Sequence, residues 1–216
     1  MTVVIAQHLI EGPILISDSR ATERNTLKPS DTATKIYALT ENMIVAITGN
    51  PDQAFSILNA LNNAYISDKK ILNPDKFIVS IIKIVKSIDP VDIKDSRCHL
   101  IFAYRDKNKK QQVSIEKLKY HFEKEGKPII SGNSGLSLAA HLMKDDIDMQ
   151  EYVNFNFPKT YITEIQYPLN KTHSLGVFEM DAWGSGAYLA KQLLEKEFYK
   201  LWSIESLSKI PWFKTM

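Results

Sequence analysis

The chain of 216 residues has few of the features that mark secreted, membrane or metal-binding proteins. It has a single cysteine, Cys98, so no disulfide can form within it, and the apolar neighbours of Cys98 favour a buried structural thiol. No basic segment followed by an apolar stretch opens the chain, and no apolar run is long enough to cross a bilayer. We therefore expect a cytoplasmic protein with no membrane partner.

Charge of one sign is also scarce, because 27 basic residues nearly balance 25 acidic ones. A formal net charge of +2 gives no reason to expect a nucleic acid partner. The basic run from Lys107 to Lys110 is predicted to be a solvated hairpin turn rather than a binding patch. Nucleic acid is therefore not an expected partner.

Motifs for cofactors and metals are missing as well. The five histidines are scattered, and for each of them, His99 included, a satisfied or exposed side chain is the better interpretation, so we expect no metal. No phosphate-binding loop, dinucleotide fingerprint or G-x-S-x-G turn occurs, which disfavours nucleotide use and an α/β-hydrolase triad. No cofactor is expected.

The order of hydrophobic patterns predicts an α+β fold in one domain, residues 1–216, with an atypical segment at about 117–171. Strand patterns come first, followed by two helical patterns beginning near Pro51 and Pro74. Later strands and a final helix are predicted at 98–105, 111–116, 161–167, 175–180 and 187–201.

Threonine stands second, directly behind Met1, at the start of a strand-like run that ends at Ala6. If Met1 is removed, Thr2 carries a hydroxyl and a free α-amine on one residue. An α-amine has a pKa of about 7.7–8.0, so it can accept the proton of the hydroxyl without help from a histidine. Thr2 is therefore the candidate nucleophile.

Four spaced segments resemble the β-type subunits of the proteasome and their bacterial relatives, which are N-terminal nucleophile hydrolases. These segments are Thr2 to Ala6, Ser17 to Thr22, Lys35 to Tyr37 and Ile44 to Ala54. The resemblance implies a four-layer α-β-β-α sandwich, with Thr2, Asp18 and Lys35 as catalytic residues. A lysine held by a carboxylate can lower the pKa of a nearby hydroxyl and relay protons.

Two glycine turns complete the site that the resemblance implies. Gly49, at a strand-to-helix turn, is the candidate oxyanion donor, because a backbone N–H needs no reorganisation and glycine lets a substrate approach. Ser185, in the turn from Gly184 to Gly186, would orient the amine of Thr2. A competing turn from Ser131 to Gly135 also precedes a helical pattern, although the helix after Ser185 fits better.

The resemblance also suggests which residues meet a substrate and what that substrate is. Arg20, Thr22, Ala46 and Ala54 would border the substrate channel and its first side-chain pocket. The expected partner is a peptide or unfolded protein, which a threonine-type peptidase would cleave. Ring-forming relatives imply a homo-oligomer.

Two departures from the family pattern keep other functions open. The stretch before Gly184 holds an insertion of roughly fifty residues on comparison with a plain family member, and no Asp-x-x-Ser turn follows the last helix. One alternative is a non-catalytic proteasome-like subunit with an assembly or binding role. The other is an amidase of the same superfamily that acts on a small molecule.

Overall fold

The computed structural model describes residues 2–8, 12–22, 29–30, 32–91, 95–110, 158–168, 171–176 and 179–197. Its strands are β1 (Val4–His8), β2 (Pro13–Ser17), β3 (Ala21–Thr22), β4 (Pro29–Ser30), β5 (Ile36–Thr40), β6 (Met43–Gly49), β7 (Cys98–Lys110), β8 (Pro158–Tyr167), β9 (Thr172–Leu175) and β10 (Met180–Trp183). Its helices are α1 (Pro51–Ser67), α2 (Pro74–Ser87) and α3 (Ala187–Glu197), and a short 3₁₀ helix spans Lys69–Leu72.

The strands form two main antiparallel sheets. One sheet has the order β10-β1-β2, and the other has the order β5-β6-β7-β8-β9, while β3 and β4 pair separately. Apolar and β-branched residues fill β6 and the first half of β7, as expected for strands that are covered on both faces. The middle strands of the five-stranded sheet are therefore buried on both faces.

Alternation along β6 divides the hydrophobic core in two. Met43, Val45 and Ile47 lie in a core that also contains buried residues of α1 and α2, such as Ile57 and Phe77. The intervening Ala46 lies in a second core. That second core combines residues of both sheets, namely Val4, Ala6, Ala46, Ile101, Ala103, Ile162, Leu175 and Trp183.

Helices cover both outer faces, so four layers result. Helices α1 and α2 pack on the five-stranded sheet, and α3 packs against β10 and β1 of the three-stranded sheet. The predicted α-β-β-α sandwich is confirmed. No helix among the described residues has the length and apolarity to cross a membrane.

Local signals fix where the first helix begins. The side chain of Asn50 accepts a hydrogen bond from Gln53 N at 3.1 Å, and Pro51 occupies the first turn, where its missing N–H costs nothing. The backbone of Asn50 donates to Arg97 O at 2.9 Å, so the turn from β6 to α1 is also tied to the segment that precedes β7. The turn that contains Gly49 is thus fixed by hydrogen bonds of Asn50 to α1 and to the segment before β7.

Two local predictions were wrong. Lys107 to Lys110 do not form a turn, because β7 continues to Lys110 and pairs with Pro158 across an irregular register. Residues 175–180 are not one strand, because β9 ends at Leu175, Glu179 N donates to Gly176 O at 3.0 Å, and β10 begins only at Met180. The predicted strand at 111–116 and the turn at 131–135 lie outside the described residues.

Candidate active site

Thr2 lies two residues before β1 and is held by the turn that precedes α3. Its backbone N donates to Ser185 Oγ at 2.9 Å, and its carbonyl oxygen accepts from Gly186 N at 3.1 Å. The two partners are neighbours in one turn, although 183 positions separate Thr2 from Ser185 in the chain. Of the two serine turns that the sequence left open, the structure therefore brings Ser185 to Thr2.

Gly184 makes this close approach of two backbones possible. It has a φ of +99°, a conformation that favours glycine, and a Cβ at this position would overlap the carbonyl oxygen of Thr2. The carbonyl carbon of Thr2 would lie only 2.9 Å from that Cβ. A residue with a side chain would have to displace Thr2.

Asp18 ties the strand of Thr2 to the predicted lysine. Its Oδ1 accepts from Val3 N at 2.7 Å and from Lys35 Nζ at 2.8 Å, and its Oδ2 accepts from Arg20 N at 3.1 Å. Asp18 N donates in turn to Val3 O at 3.2 Å. One carboxylate thus positions the residue next to Thr2 and the ammonium group together.

Lys35 is buried and has two oxygen partners. Its Nζ donates to Asp18 Oδ1 and, at 2.5 Å, to the carbonyl oxygen of Arg20. Its own carbonyl accepts from Ile47 N at 2.9 Å, so β6 fixes its backbone. A buried ammonium is stable only when paired and hydrogen-bonded, and both conditions are met here.

Gly49 lies two residues beyond Ile47, at the same end of β6 as Lys35. Its φ is +85°, and an added Cβ would overlap Arg97 O and lie 2.9 Å from Cys98 Cα. Glycine is therefore required by the packing of β6 against β7. Burial raises the pKa of its register partner Cys98 to about 12, so this thiol stays protonated and structural, as predicted.

Comparison with known proteins gives a family match for part of the chain. Residues 2–88 match the family model described as "Proteasome subunit". This part of the chain is similar to proteasome subunits. The resemblance predicted from four short segments is thereby confirmed.

Structural similarity to a solved protein extends beyond the residues that the family model matches. The crystal structure of eukaryotic HslV from Trypanosoma brucei has a TM-score of 0.51 with this chain at 12% sequence identity. The similarity covers 90% of this chain and 78% of that chain. No curated protein matches the sequence.

The residues predicted to border the substrate are divided by the structure. Arg20 is exposed, with its carbonyl oxygen hydrogen-bonded to Lys35, and Thr22 lies in β3 opposite Pro29. Ala46 and Ala54 are fully buried, the first between the sheets and the second under the helices. Because neither alanine has surface that a ligand could touch, the geometry gives no support to their predicted role.

A pocket of about 390 Å³ beside the Asp18–Lys35 pair was not predicted. Its walls come from the end of β2 and from the segment before β5, and they consist of Ser17, Asp18, Ser19, Ala33, Thr34, Lys35 and Ile36. The backbone bond from Ala33 N to Ser19 O, at 2.8 Å, joins the two walls. The only signal in the sequence was that these residues flank Asp18 and Lys35.

Proposed function

We propose that this chain, which matches a proteasome subunit family model over residues 2–88, is a threonine-type peptidase whose nucleophile is Thr2, exposed after removal of Met1. The family match and the fold support a hydrolase of the N-terminal nucleophile type. One observation carries the choice of threonine. The backbone nitrogen of Thr2, which is the α-amine once Met1 is removed, is hydrogen-bonded to Ser185. Asp18 accepts hydrogen bonds from both Val3 N and Lys35 Nζ.

The contacts fit a sequence of proton transfers. Thr2 Oγ attacks the scissile carbonyl, and its hydroxyl proton passes to its own α-amine, directly or through water. The Lys35 ammonium favours the ionised hydroxyl by charge, and Asp18 holds that ammonium in place. The amine then returns the proton to the leaving amine of the substrate.

Two further groups support the steps around this transfer. The Gly49 N–H stabilises the developing oxyanion, a contribution that is typically worth 10²–10³ in rate for one donor, or about 3–4 kcal/mol. Ser185 orients the Thr2 amine by accepting a hydrogen bond from it. An acyl group is left as an ester on Thr2 Oγ, and water releases it.

The substrate and the assembly belong to the same proposal. The substrate is a peptide or an unfolded segment. The enzyme acts as a cytoplasmic homo-oligomer in which the sites face an enclosed space. Exposed apolar side chains on α3, namely Tyr188, Leu189 and Leu193, are available for contacts between copies. The chain acts as one domain over residues 1–216.

Intact mass spectrometry of the full chain tests the nucleophile directly. The chain is incubated with a peptidyl β-lactone, whose ring opens on a hydroxyl to leave an ester. We expect a chain that lacks Met1 to gain one adduct. Thr2→Ala should gain none, whereas Thr172→Ala, at an exposed threonine of β9, should react like the wild type.

Other outcomes lead to the alternative functions. A chain that keeps Met1, or loses it and gains no adduct, would favour a non-catalytic subunit with an assembly role. A chain that reacts at Thr2 but hydrolyses small amides in preference to a peptide panel would be an amidase.

A further inference from the structure

Two amide side chains at the start of α1 fasten the segment that joins α2 to β7, described over residues 88–91 and 95–97 and termed the α2–β7 segment. Gln53 is fully buried and uses both ends of its amide. Its Nε2 donates to Asp89 O at 3.5 Å, and its Oε1 accepts from Val91 N at 2.7 Å. Asn50, which is 5% exposed, donates from Nδ2 to Asp95 O. Both described parts of the segment are therefore bound to α1.

This use of Gln53 differs from ordinary helix capping. Asparagine followed three positions later by glutamine is typical of a capping box, in which the glutamine side chain returns to the N–H of the capping residue. Here the N–H of Asn50 donates to Arg97 O at 2.9 Å, and the glutamine side chain reaches the α2–β7 segment instead. The helix already has its cap, because Asn50 Oδ1 accepts from Gln53 N. Capping therefore does not explain the buried amide of Gln53.

Gly49 lies where α1 and the α2–β7 segment meet. An added Cβ at Gly49 would overlap Arg97 O, so the end of the segment is packed against this glycine. Asn50, the next residue, is bonded to the carbonyl oxygens of Asp95 and Arg97. The backbone at Gly49 therefore keeps its place only while the α2–β7 segment keeps its own.

Hydrogen bonds along β6 give the direction of Gly49 N–H. Asn50 N donates toward β7, whereas Ile47 N donates to Lys35 O, on the β5 side. Since the N–H groups of a strand alternate between its two edges, Gly49 N–H points to the same edge as that of Ile47. The register of β5 and β6, continued by two positions, places Gly49 opposite Ala33, which lines the pocket of about 390 Å³. Gly49 N–H is thus directed toward the pocket wall that also contains Lys35.

We propose that Gln53 is a positioning residue that holds Gly49 N–H at the developing oxyanion, with Asn50 as the link between them; this inference rests on the proposed function. Gln53 and Asn50 join α1 and the α2–β7 segment into one frame around Gly49. A displacement of about 1 Å at a catalytic group can cost about 10²-fold in rate. Loss of the Gln53 amide lets the frame shift without removing any group that touches the substrate.

Two electrophiles of different chemistry separate this role from a general effect on folding. A peptidyl β-lactone is attacked at its carbonyl carbon, so the carbonyl oxygen becomes an oxyanion that a donor at Gly49 stabilises. A peptidyl vinyl sulfone is attacked at the alkene carbon farther from sulfur. The bond to Thr2 Oγ forms, the π bond breaks, and the hydroxyl proton ends on the carbon beside sulfur. Only the first reaction depends on the position of Gly49 N–H, because no carbonyl oxygen becomes charged in the second.

Gln53→Met keeps the length of the side chain and removes both of its amide hydrogen bonds. In the full chain lacking Met1, followed by intact mass, we expect lactone labelling to slow by about 10-fold or more and vinyl sulfone labelling to stay within about twofold of the wild type. Asn50→Asp keeps the helix cap but loses the donor to Asp95 O. It should show the same selective loss, and it tests the frame if Gln53→Met does not fold.

Tyr167→Phe is the matched control. Tyr167 is buried, and its hydroxyl donates to Ile88 O at 3.1 Å, at the α2 end of the same segment. Both labelling rates should match the wild type, because the amides next to Gly49 are intact. Equal slowing of the two reactions in Gln53→Met, or no slowing of either, would overturn the role of Gln53 alone. A wild-type chain that neither electrophile labels would overturn the proposed function as well.

Discussion

At the residue scale, Gly184 shows how much of the site depends on backbone rather than on side chains. The sequence predicted that a Gly-Ser-Gly turn would serve Thr2 through Ser185, and the structure adds that Gly184 and Gly186 hold the Thr2 carbonyl. The turn thus fixes both the nitrogen and the oxygen of Thr2. Geometry of this kind matters because a misplacement of about 1 Å can cost about 10²-fold in rate.

Gly184→Ala is accordingly expected to reduce both stability and turnover. The added Cβ overlaps the Thr2 carbonyl, and alanine is strained at a φ of +99°, so we expect a loss of about 2 kcal/mol or more in the free energy of unfolding. Turnover by the fraction that remains folded should fall by about 10²-fold. Urea unfolding and peptide hydrolysis measure the two effects.

Gly176→Ala supplies the comparison for this variant. The nearest atom to a Cβ there is the carboxyl carbon of Glu179 at 3.3 Å, which ends a flexible side chain that can move. Its stability and turnover should stay close to those of the wild type. Equal losses in the two variants would show that contact with Thr2 is not the cause.

Thr2, Asp18, Lys35 and Ser185 were all predicted from the sequence, and hydrogen bonds link Thr2 to Ser185 and Asp18 to both Lys35 and Val3. Their proximity could be anticipated because the resemblance assigns a particular residue type to a particular place in the chain order. The pairing of His99 with Glu164 was not predicted, because these residues are 65 positions apart and meet only through the register of β7 and β8. Ala46 was expected at a substrate surface from the family resemblance, which does not show that its side chain is buried between the sheets.

At the element scale, β1 is fastened to the five-stranded sheet by a buried histidine. His8, at the end of β1, has Nδ1 2.9 Å from Leu175 O of β9 and Nε2 2.8 Å from Thr160 Oγ1 of β8. A neutral ring satisfies both contacts if Nδ1–H donates to the carbonyl and Nε2 accepts from the hydroxyl. Burial lowers the pKa of His8 from its ordinary 6.5, since the charged form loses its hydration.

This lowered pKa predicts a loss of stability in mild acid. Between its folded pKa and 6.5, His8 binds more protons in the unfolded state than in the folded state, so stability rises with pH across that window. The contribution of the neutral ring is complete above 6.5 and is lost as the pH falls through the folded pKa. The free energy of unfolding should therefore decrease below about pH 6.5.

His8→Gln isolates this contribution, because glutamine offers a donor and an acceptor but does not titrate in this range. Its free energy of unfolding, measured from pH 8 to pH 5 relative to its own value at pH 8, should decline less than that of the wild type. Parallel curves for the two proteins would assign the acid sensitivity to other groups.

The element boundaries show the limits of periodicity. The helices α1 and α2 were predicted closely because each begins at a proline after an asparagine and carries an apolar stripe. The extension of β7 through Lys110 was missed, since a polar run of lysines and asparagine reads as a turn when considered alone. Pairing with β8 over residues 105–106 and at Lys110 outweighs that local preference.

At the scale of the whole molecule, the two cores have different relations to the site. The core between the sheets lies next to Thr2, because it contains Val4 and Trp183, which flank the residues that hold Thr2. The core under α1 and α2 lies on the far face of the five-stranded sheet. Both stabilise the fold, yet only the first sets the separation between the two sheets at the site.

Ile101 and Ile81 are a matched pair that separates these roles. Each is a fully buried isoleucine, Ile101 in the core between the sheets and Ile81 in the core under the helices. Truncation of either to alanine should lower the free energy of unfolding by about 2–5 kcal/mol, through lost apolar burial and the cavity left behind. Turnover, measured at a temperature where both variants are folded, should fall for Ile101→Ala and remain near the wild-type value for Ile81→Ala. The reason is that the cavity left by Ile101 lets the five-stranded sheet, which carries Gly49, shift relative to β1, the strand that follows Thr2. Equal turnover in the two variants would mean that the distance between the sheets is fixed by the hydrogen bonds of Asp18, Lys35 and Ser185 alone.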